Sequence, residues 1–156
     1  MATERGLAGL AFADAGEEAS ALADMKRRWP RASYIADEAR TAPIAKRIFD
    51  PSQWQQDRPL RVVLIGTDFE VRVWDALLHI PMGRLTTYSS IAAKLSKPTA
   101  SRAVGAAVGK NPVAFVVPCH RVIGAGGSLV GYGGGLPLKR FLLDLEARHS
   151  HLFREA

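Results

Sequence analysis

Cysteine is nearly absent from this chain: Cys119 is the only one in 156 residues. A single thiol excludes an internal disulfide and suits a reducing compartment. Long apolar runs are missing too, and no basic-then-apolar leader follows Met1. The sequence therefore predicts no membrane partner and a cytoplasmic location. It contains no glycine-rich phosphate cradle, no metal-ligand cluster and no Ser/His/Asp order, so neither a cofactor nor a metal is expected. Acidic residues are in deficit, 15 against 21 Lys and Arg, which leaves a net charge of +6. That balance suits a polyanionic partner such as nucleic acid, and it equally suits a merely basic soluble protein.

The chain is 47% hydrophobic and 23% charged, which reads as globular and long enough to bury a core in one domain or two small ones. Its lone cysteine lies in Val116-Val117-Pro118-Cys119-His120-Arg121-Val122, between an apolar run and a basic one. A lone cysteine is most often a small buried hydrophobe. Here Pro118 prevents passage as ordinary helix or central strand, and an imidazole and a guanidinium follow directly. Cationic neighbours and a base within reach would raise the thiolate fraction, as a nucleophile requires.

Leu7 to Phe12 suggests a strand close to the N-terminus. Asp14 with Glu17 signals a helix start, and Ala19, Leu22, Met25 or Lys26, and Trp29 recur at helical spacing up to Pro30, with Met25 and Trp29 read as core. Ser33 to Ile35 reads as a second short strand, Thr41 to Phe49 as a helix with Pro43 in its first turn, Pro51 to Pro59 as a Gln-rich loop, and Leu60 to Ile65 as a further strand. This front part is a small α/β layer, and Gly66 is the better place for its boundary.

Beyond Gly66 the pattern becomes short helices with tight turns. Thr67 to Glu70 fits a capping box that opens a helix with Phe69, Val73, Leu77 and Ile80 on one face. Thr87 to Ser90 leads a second helix carrying Ile91, Ala92 and Leu95, and Thr99 caps a third, Ala100 to Val108. Three helices so arranged match a helix-turn-helix unit. The third consists almost wholly of small residues around Arg102, which allows backbone to approach either a neighbouring helix or DNA. Val113 to Val117 reads as a buried strand delivering the cysteine, and Val122 to Val130 as a hairpin with a glycine turn. Gly133 to Gly135 could admit a ligand to the backbone or serve as a linker. The last helix starts at Pro137 and buries Leu138, Phe141, Leu142 and Leu145, with Glu146 on its other side.

From Gly66 to Glu146 these residues resemble the O6-alkylguanine-DNA alkyltransferase family, repair proteins that move an alkyl group from guanine onto their own cysteine. The resemblance, of the Ada C-terminal or Ogt type, rests on Phe69 with Val73-Trp74, Ile80-Pro81 with Gly83, Thr87-Tyr88, Arg102-Ala103-Val104-Gly105, Asn111-Pro112, Pro118-Cys119-His120-Arg121-Val122, Gly131-Tyr132, Gly134-Gly135-Leu136 and Glu146. It implies an α/β N-terminal layer, a truncated RNase H-like one, over residues 1–66. Residues 67–156 would then form an α-helical, winged helix-turn-helix-like domain carrying the active cysteine.

The same resemblance implies the roles. Cys119 is the nucleophile, His120 its base through a water, and Glu146 the residue that orients the imidazole. Tyr88 rotates the nucleotide and donates toward the ring. Asn111 braces the turn, the Cys119 and Val122 carbonyls accept from the guanine amino group, Gly133 donates to O6 and, standing where some relatives carry a larger residue, widens the pocket, and Tyr132 and Gly134 complete the wall. Arg102 fills the gap left by the flipped base, and Thr87, Ala103, Gly105, Ala106 and Arg121 join Tyr88 at the DNA. The implied partner is double-stranded DNA containing O6-alkylguanine, bound by a monomer, with O4-methylthymine as a further substrate. The family's front domain usually begins with a strand paired to the one placed at Leu7 to Phe12, which this chain starts too late to hold. The zinc site of some relatives has no counterpart. Two alternatives are the C-terminal part of an Ada-like regulator and a lesion-binding relative that does not react; the latter class replaces the cysteine that is present here.

Overall fold

The computed structural model describes residues 1–54 and 59–149, and the chain divides into two units, residues 1–63 and 64–156. In the front unit β1 (Ala2–Thr3) runs antiparallel to β2 (Gly6–Leu7), with Ala2 opposite Leu7 and Thr3 opposite Gly6. Leu7 also bridges Val62 in parallel, donating to the Arg61 carbonyl at 2.9 Å and accepting from the Val63 amide at 2.8 Å. The strands expected over Leu7 to Phe12 and Leu60 to Ile65 therefore shrink to this crossing. Past Leu7 the amides of Ala8 and Gly9 turn to the Met1 carbonyl, at 3.0 and 3.1 Å, instead of continuing a ladder. Backbone groups that leave one partner must find another, and here the nearest is the chain's own first residue.

Helix α1 (Glu18–Arg28) starts after the expected signal, because the Asp14 carbonyl first closes a turn on the Glu17 amide at 2.9 Å. Met25 is buried, whereas Leu22 is exposed and Trp29 half-buried. Helix α2 (Glu38–Phe49) begins three residues earlier than expected. Asp37 caps it by accepting from the Arg40 amide at 2.9 Å, so Pro43 falls inside the helix. A charged N-cap carboxylate is the stronger start signal. No strand forms over Ser33 to Ile35: the Tyr34 hydroxyl donates to the Trp29 carbonyl at 3.0 Å, and Ile35 is exposed. The expected Gln-rich loop opens with a 3-10 turn, Pro51–Gln53, and its residues 55–58 lie outside the described residues.

In the second unit α3 (Asp68–Leu78) starts with a complete capping box: Thr67 accepts from the Glu70 amide, and the Glu70 carboxylate accepts from the Thr67 amide at 2.9 Å. Its apolar face buries Val73, Trp74, Ala76 and Leu77. Helices α4 (Tyr88–Lys94) and α5 (Ser101–Gly109) complete the group. Helix α5 packs against both α3 and α4, and the Trp74 indole donates to the Ala107 carbonyl at 2.8 Å. Small side chains on α5 let that ring come so close. Val104, Ala107 and Val108 are buried, and each buried valine or leucine of this core contributes roughly 1.5–3 kcal/mol. Lys110 joins the end of α5 to the start of α3 through Glu70 at 2.9 Å. Thr99 does not cap α5; Ala100 precedes the helix without a side-chain bond.

Two further expectations change here. Val113 to Val117 is not a strand but a tight buried turn, with Val116 donating to Ala114 and Val117 to Val113, and with Phe115 at φ 67°. Val122 to Val130 is not a regular hairpin. The glycine turn is present, closed by the Gly124 amide on the Ser128 carbonyl at 2.9 Å. Strand β4 (Val122–Ile123), however, pairs in parallel with β3 (Thr86–Thr87). A two-residue strand takes whichever edge the surrounding helices present, and here that edge leads straight into α4. Helix α6 (Gly135–His149) ends the described chain. It begins two residues before Pro137 and turns Phe141 outward, 60% exposed, while burying Lys139, Leu142 and Glu146.

Candidate functional site

Cys119 opens a 3-10 turn, Cys119–Arg121, directly after Pro118. The turn is held from below by Asn111. Its amide nitrogen donates to the Val117 carbonyl at 2.8 Å and to the Cys119 sulfur at 3.1 Å, and its oxygen accepts from the Val113 amide at 2.9 Å. These bonds take the place of ladder partners for the apolar run, which is why Val113 to Val117 can curl without leaving buried groups unpaired. The sulfur's side-chain partner is thus Asn111, not His120.

The thiol is 7% exposed. Burial pushes its pKa above the ordinary 9.0, and the Asn111 bond, the amides of the turn and the Lys139 charge pull the other way without prevailing. Burial thus outweighs the basic neighbours that would raise the thiolate fraction.

His120 is fully buried and stacks on Phe115, ring centroids 5.5 Å apart. The left-handed backbone of Phe115 turns its ring back onto the imidazole, and strain of this kind is held in place only by surrounding packing. His120 Nε2 lies 2.8 Å from Glu146 Oε1, while Nδ1 is buried without a protein partner. The structure therefore brings His120 and Glu146 together and leaves one imidazole nitrogen available on the other side.

Glu146 is 1% exposed. Burial would raise its pKa, but the hydrogen bonds of His120 and Arg121 outweigh that and hold it below the usual carboxylate value. Arg121 meets the carboxylate as a fork, Nε to Oε2 at 2.9 Å and Nη2 to Oε1 at 2.6 Å, and its other arm donates to the Ile80 carbonyl. Its side chain is 11% exposed. Arg121, expected at the DNA, is paired here with Glu146: a two-pronged bond to a buried carboxylate turns the guanidinium inward.

The other predicted residues fall into two groups. Arg102, Ala103 and Ala106 lie exposed on one face of α5. Gly105 turns from that face toward the Tyr88 ring, where a Cβ would sit 3.7 Å from its edge. The Thr87 hydroxyl caps α4 by accepting from the Ser90 amide at 3.1 Å. Tyr88 is half-buried, and its hydroxyl donates to the Val130 carbonyl at 3.4 Å. Gly131, at φ 53°, lies where a Cβ would come within 3.1 Å of that hydroxyl, so two separate constraints ask for glycine. Burial pushes the Tyr88 phenol up and the Tyr132 phenol well up, and the buried Tyr132 hydroxyl has no protein partner. A side chain at Gly133 would meet nothing within 4 Å, whereas one at Gly134 would run into Leu138 at 2.6 Å. Val122 is fully buried, and its carbonyl already accepts from Lys139.

Lys139 and Phe115 are the site-lining residues that sequence reasoning missed. For Lys139 a signal existed: Lys139, Leu142 and Glu146 are spaced three and four apart, on one helical face. Once Glu146 is placed at the site, the other two follow. Among the described residues there is no cluster of three or more His, Cys, Asp or Glu able to hold a metal, and no helix long and apolar enough to cross a membrane.

The family model for the 6-O-methylguanine DNA methyltransferase DNA-binding domain matches residues 68–148. The inducible methylated-DNA–protein-cysteine methyltransferase of Bacillus subtilis is 45% identical over 126 residues, 80% of this chain and 70% of that one. The methylated-DNA–protein-cysteine methyltransferase of Mycobacterium tuberculosis is 60% identical over 83 residues, 53% of this chain and half of that protein's length. Among solved structures, Mycobacterium tuberculosis OGT in complex with DNA is similar with a TM-score of 0.63 at 46% identity, over 71% of this chain and 68% of that one. The O6-methylguanine-DNA methyltransferase of Pyrococcus kodakaraensis is similar with a TM-score of 0.69 at 27% identity, over 92% and 88%.

Proposed function

Since the chain belongs to the 6-O-methylguanine DNA methyltransferase family, we propose that it repairs alkylated DNA directly, moving the O6-alkyl group of guanine, chiefly methyl, onto Cys119 in a single turnover. The observation that carries this reading is the lone cysteine at the head of a buried turn, its sulfur held by Asn111 and the His120–Glu146 pair beside it.

In the proposed step the sulfur attacks the alkyl carbon, the S–C bond forms and the C–O6 bond breaks. The thiol proton passes through a water to the His120 nitrogen that has no protein partner, and Glu146 stabilises the imidazolium. Negative charge developing on the departing guanine is met by the Gly133 amide and by the Tyr88 hydroxyl, whose one proton turns from the Val130 carbonyl to the base. The carbonyls of Cys119 and Val122 accept from the guanine amino group, with Tyr132, Gly134 and Asn111 framing the pocket. A carbonyl has two lone pairs, so Val122 can serve Lys139 and a base together. This displacement uses no cofactor or metal, and no group here could remove an alkyl from a thioether, so the site works once.

A base stacked in a duplex cannot present its O6 substituent to a buried thiol, so it must be flipped out, at roughly a few kcal/mol. In this reading α4 and α5 form a winged helix-turn-helix entering the minor groove, with Ala103 and Ala106 permitting close approach, Arg102 filling the vacated stack, and Thr87, Tyr88 and Gly105 at the backbone. O4-methylthymine is a further substrate, and the protein acts as a monomer in the cytoplasm. The front layer, residues 1–66, is a reduced RNase H-like one, and 67–156 the working domain. Cys119 speaks against the non-reacting class of relatives.

Incubation with a duplex containing O6-methylguanine is expected to add one methyl mass, located by peptide mass spectrometry on Cys119. No adduct, or an adduct on another residue, would sink the reading.

A further inference from the structure

The proposed chemistry leaves one buried charge unused. Lys139 on α6 is fully buried, and its ammonium donates to the carbonyls of Val122 at 2.5 Å and Val130 at 2.7 Å. Among the described residues no carboxylate pairs with it. An apolar side chain of similar length would occupy the space without the cost of dehydrating a cation, so packing alone does not account for a lysine. Its two acceptors are informative. Val122 follows the cysteine turn directly, and Val130 precedes Gly131-Tyr132 and also receives the Tyr88 hydroxyl.

We propose that Lys139 is a positioning residue of the transfer site: its ammonium ties the strand leaving the cysteine turn to the segment leading into Tyr132, and fixes the carbonyl on which Tyr88 rests. This deepens the alkyl-transfer reading and rests on it. The tie fixes two sides of the pocket relative to the sulfur. It also places a permanent cation near the thiol. The titratable groups around Cys119 are His120 on its own turn, Tyr88 at the start of α4, Tyr132, and Lys139 and Glu146 from α6. Of these, Lys139 is the positive charge that favours ionisation of the thiol, and a thiolate in turn favours the ammonium against the effect of burial.

The test uses the full chain with Lys139→Met, which keeps length and loses charge, and Lys139→Gln, which keeps a donor and loses charge. Folding is checked by circular dichroism. Two readouts follow: transfer from an O6-methylguanine duplex, and the pH dependence of Cys119 alkylation by iodoacetamide. Misplacing pocket walls by about an ångström is expected to slow transfer ten- to a hundredfold, and loss of the cation to move the iodoacetamide profile to higher pH. A folded variant with the parental rate and profile overturns the proposal. A variant that loses transfer but keeps the parental profile does so too, because general loosening, not the charge, would then explain it. Should neither variant fold, the parent protein decides: the Lys139 ammonium, followed by NMR, should titrate at lower pH once Cys119 is alkylated, and an unchanged titration overturns the proposal. A parent that moves no methyl group while the variants still shift the iodoacetamide profile would sink the transfer reading and leave the coupling of Lys139 to Cys119 standing.

Discussion

Removing the carboxylate of Glu146 is the most demanding test of how the site is held. Glu146→Ala strips the acceptor from His120 Nε2 and from both arms of the Arg121 fork. Arg121 then carries a charge at 11% side-chain exposure, with only the Ile80 carbonyl left to it. His120, whose Nδ1 already lacks a protein partner, has neither ring nitrogen paired. Breaking a buried pair by removing one member costs about 3–5 kcal/mol. Partial exposure of Arg121 and its remaining carbonyl place the expectation near the lower end, at about 3 kcal/mol. Against a total stability of roughly 5–15 kcal/mol this shift is easily measured by urea unfolding. Pairing with Arg121→Met provides the control. With both charges gone no unpaired ion remains, so the double variant should be less destabilised than the sum of the two singles by about 1–3 kcal/mol.

The pH dependence of the same experiment has a definite sign. The folded carboxyl titrates below its ordinary value of 4.5, so its contribution is complete above that value and fades as pH falls through the depressed folded one. The deficit of Glu146→Ala should therefore shrink in acid. A deficit under about 1 kcal/mol at neutral pH, or strict additivity in the cycle, would refute a shared carboxylate as the anchor of the turn.

Arg102→Ala should slow repair in duplex DNA more than transfer from free O6-benzylguanine; equal losses on both would remove Arg102 from the flipping step. Thr67→Ala should cost about 1 kcal/mol of stability in urea unfolding, since it removes the cap of α3, and a neutral result would mean that the Lys110–Glu70 pair holds the helix start unaided. Because burial raises the Cys119 thiol above 9.0, its alkylation by iodoacetamide should still be accelerating with pH above that value. A plateau below pH 8 would show that the resting group is already a thiolate.

How much of this was legible follows how local each signal is. The capping box at Thr67 and the Asn111-Pro112 and Pro118-Cys119 punctuation act within four residues, and these could be read directly. The front strands could not, because a strand lasts only as long as its partner, and Leu7 finds Ala2 and Val62 for the length of one crossing. The face of α6 was misread for a different reason. Apolar periodicity pointed to Phe141 as core, but the site buries Lys139 and Glu146 beside Leu142 on the neighbouring stripe, and a hydrophobic pattern does not signal an inner face that carries charges.

By itself the sequence determined which residue could carry the chemistry. One cysteine among 156 residues, fixed between Pro118 and His120, left no competing thiol, and covalent order set its turn. Direction and environment belonged to the tertiary structure. Arg121 follows His120 in the chain, yet whether it reached outward to a phosphate or inward to a carboxylate depended on α6 bringing Glu146 within 2.6 Å of it. The direction of the Cys119 pKa shift likewise depended on burial, which sequence neighbours do not report: basic residues beside a thiol favour the thiolate only as far as desolvation allows.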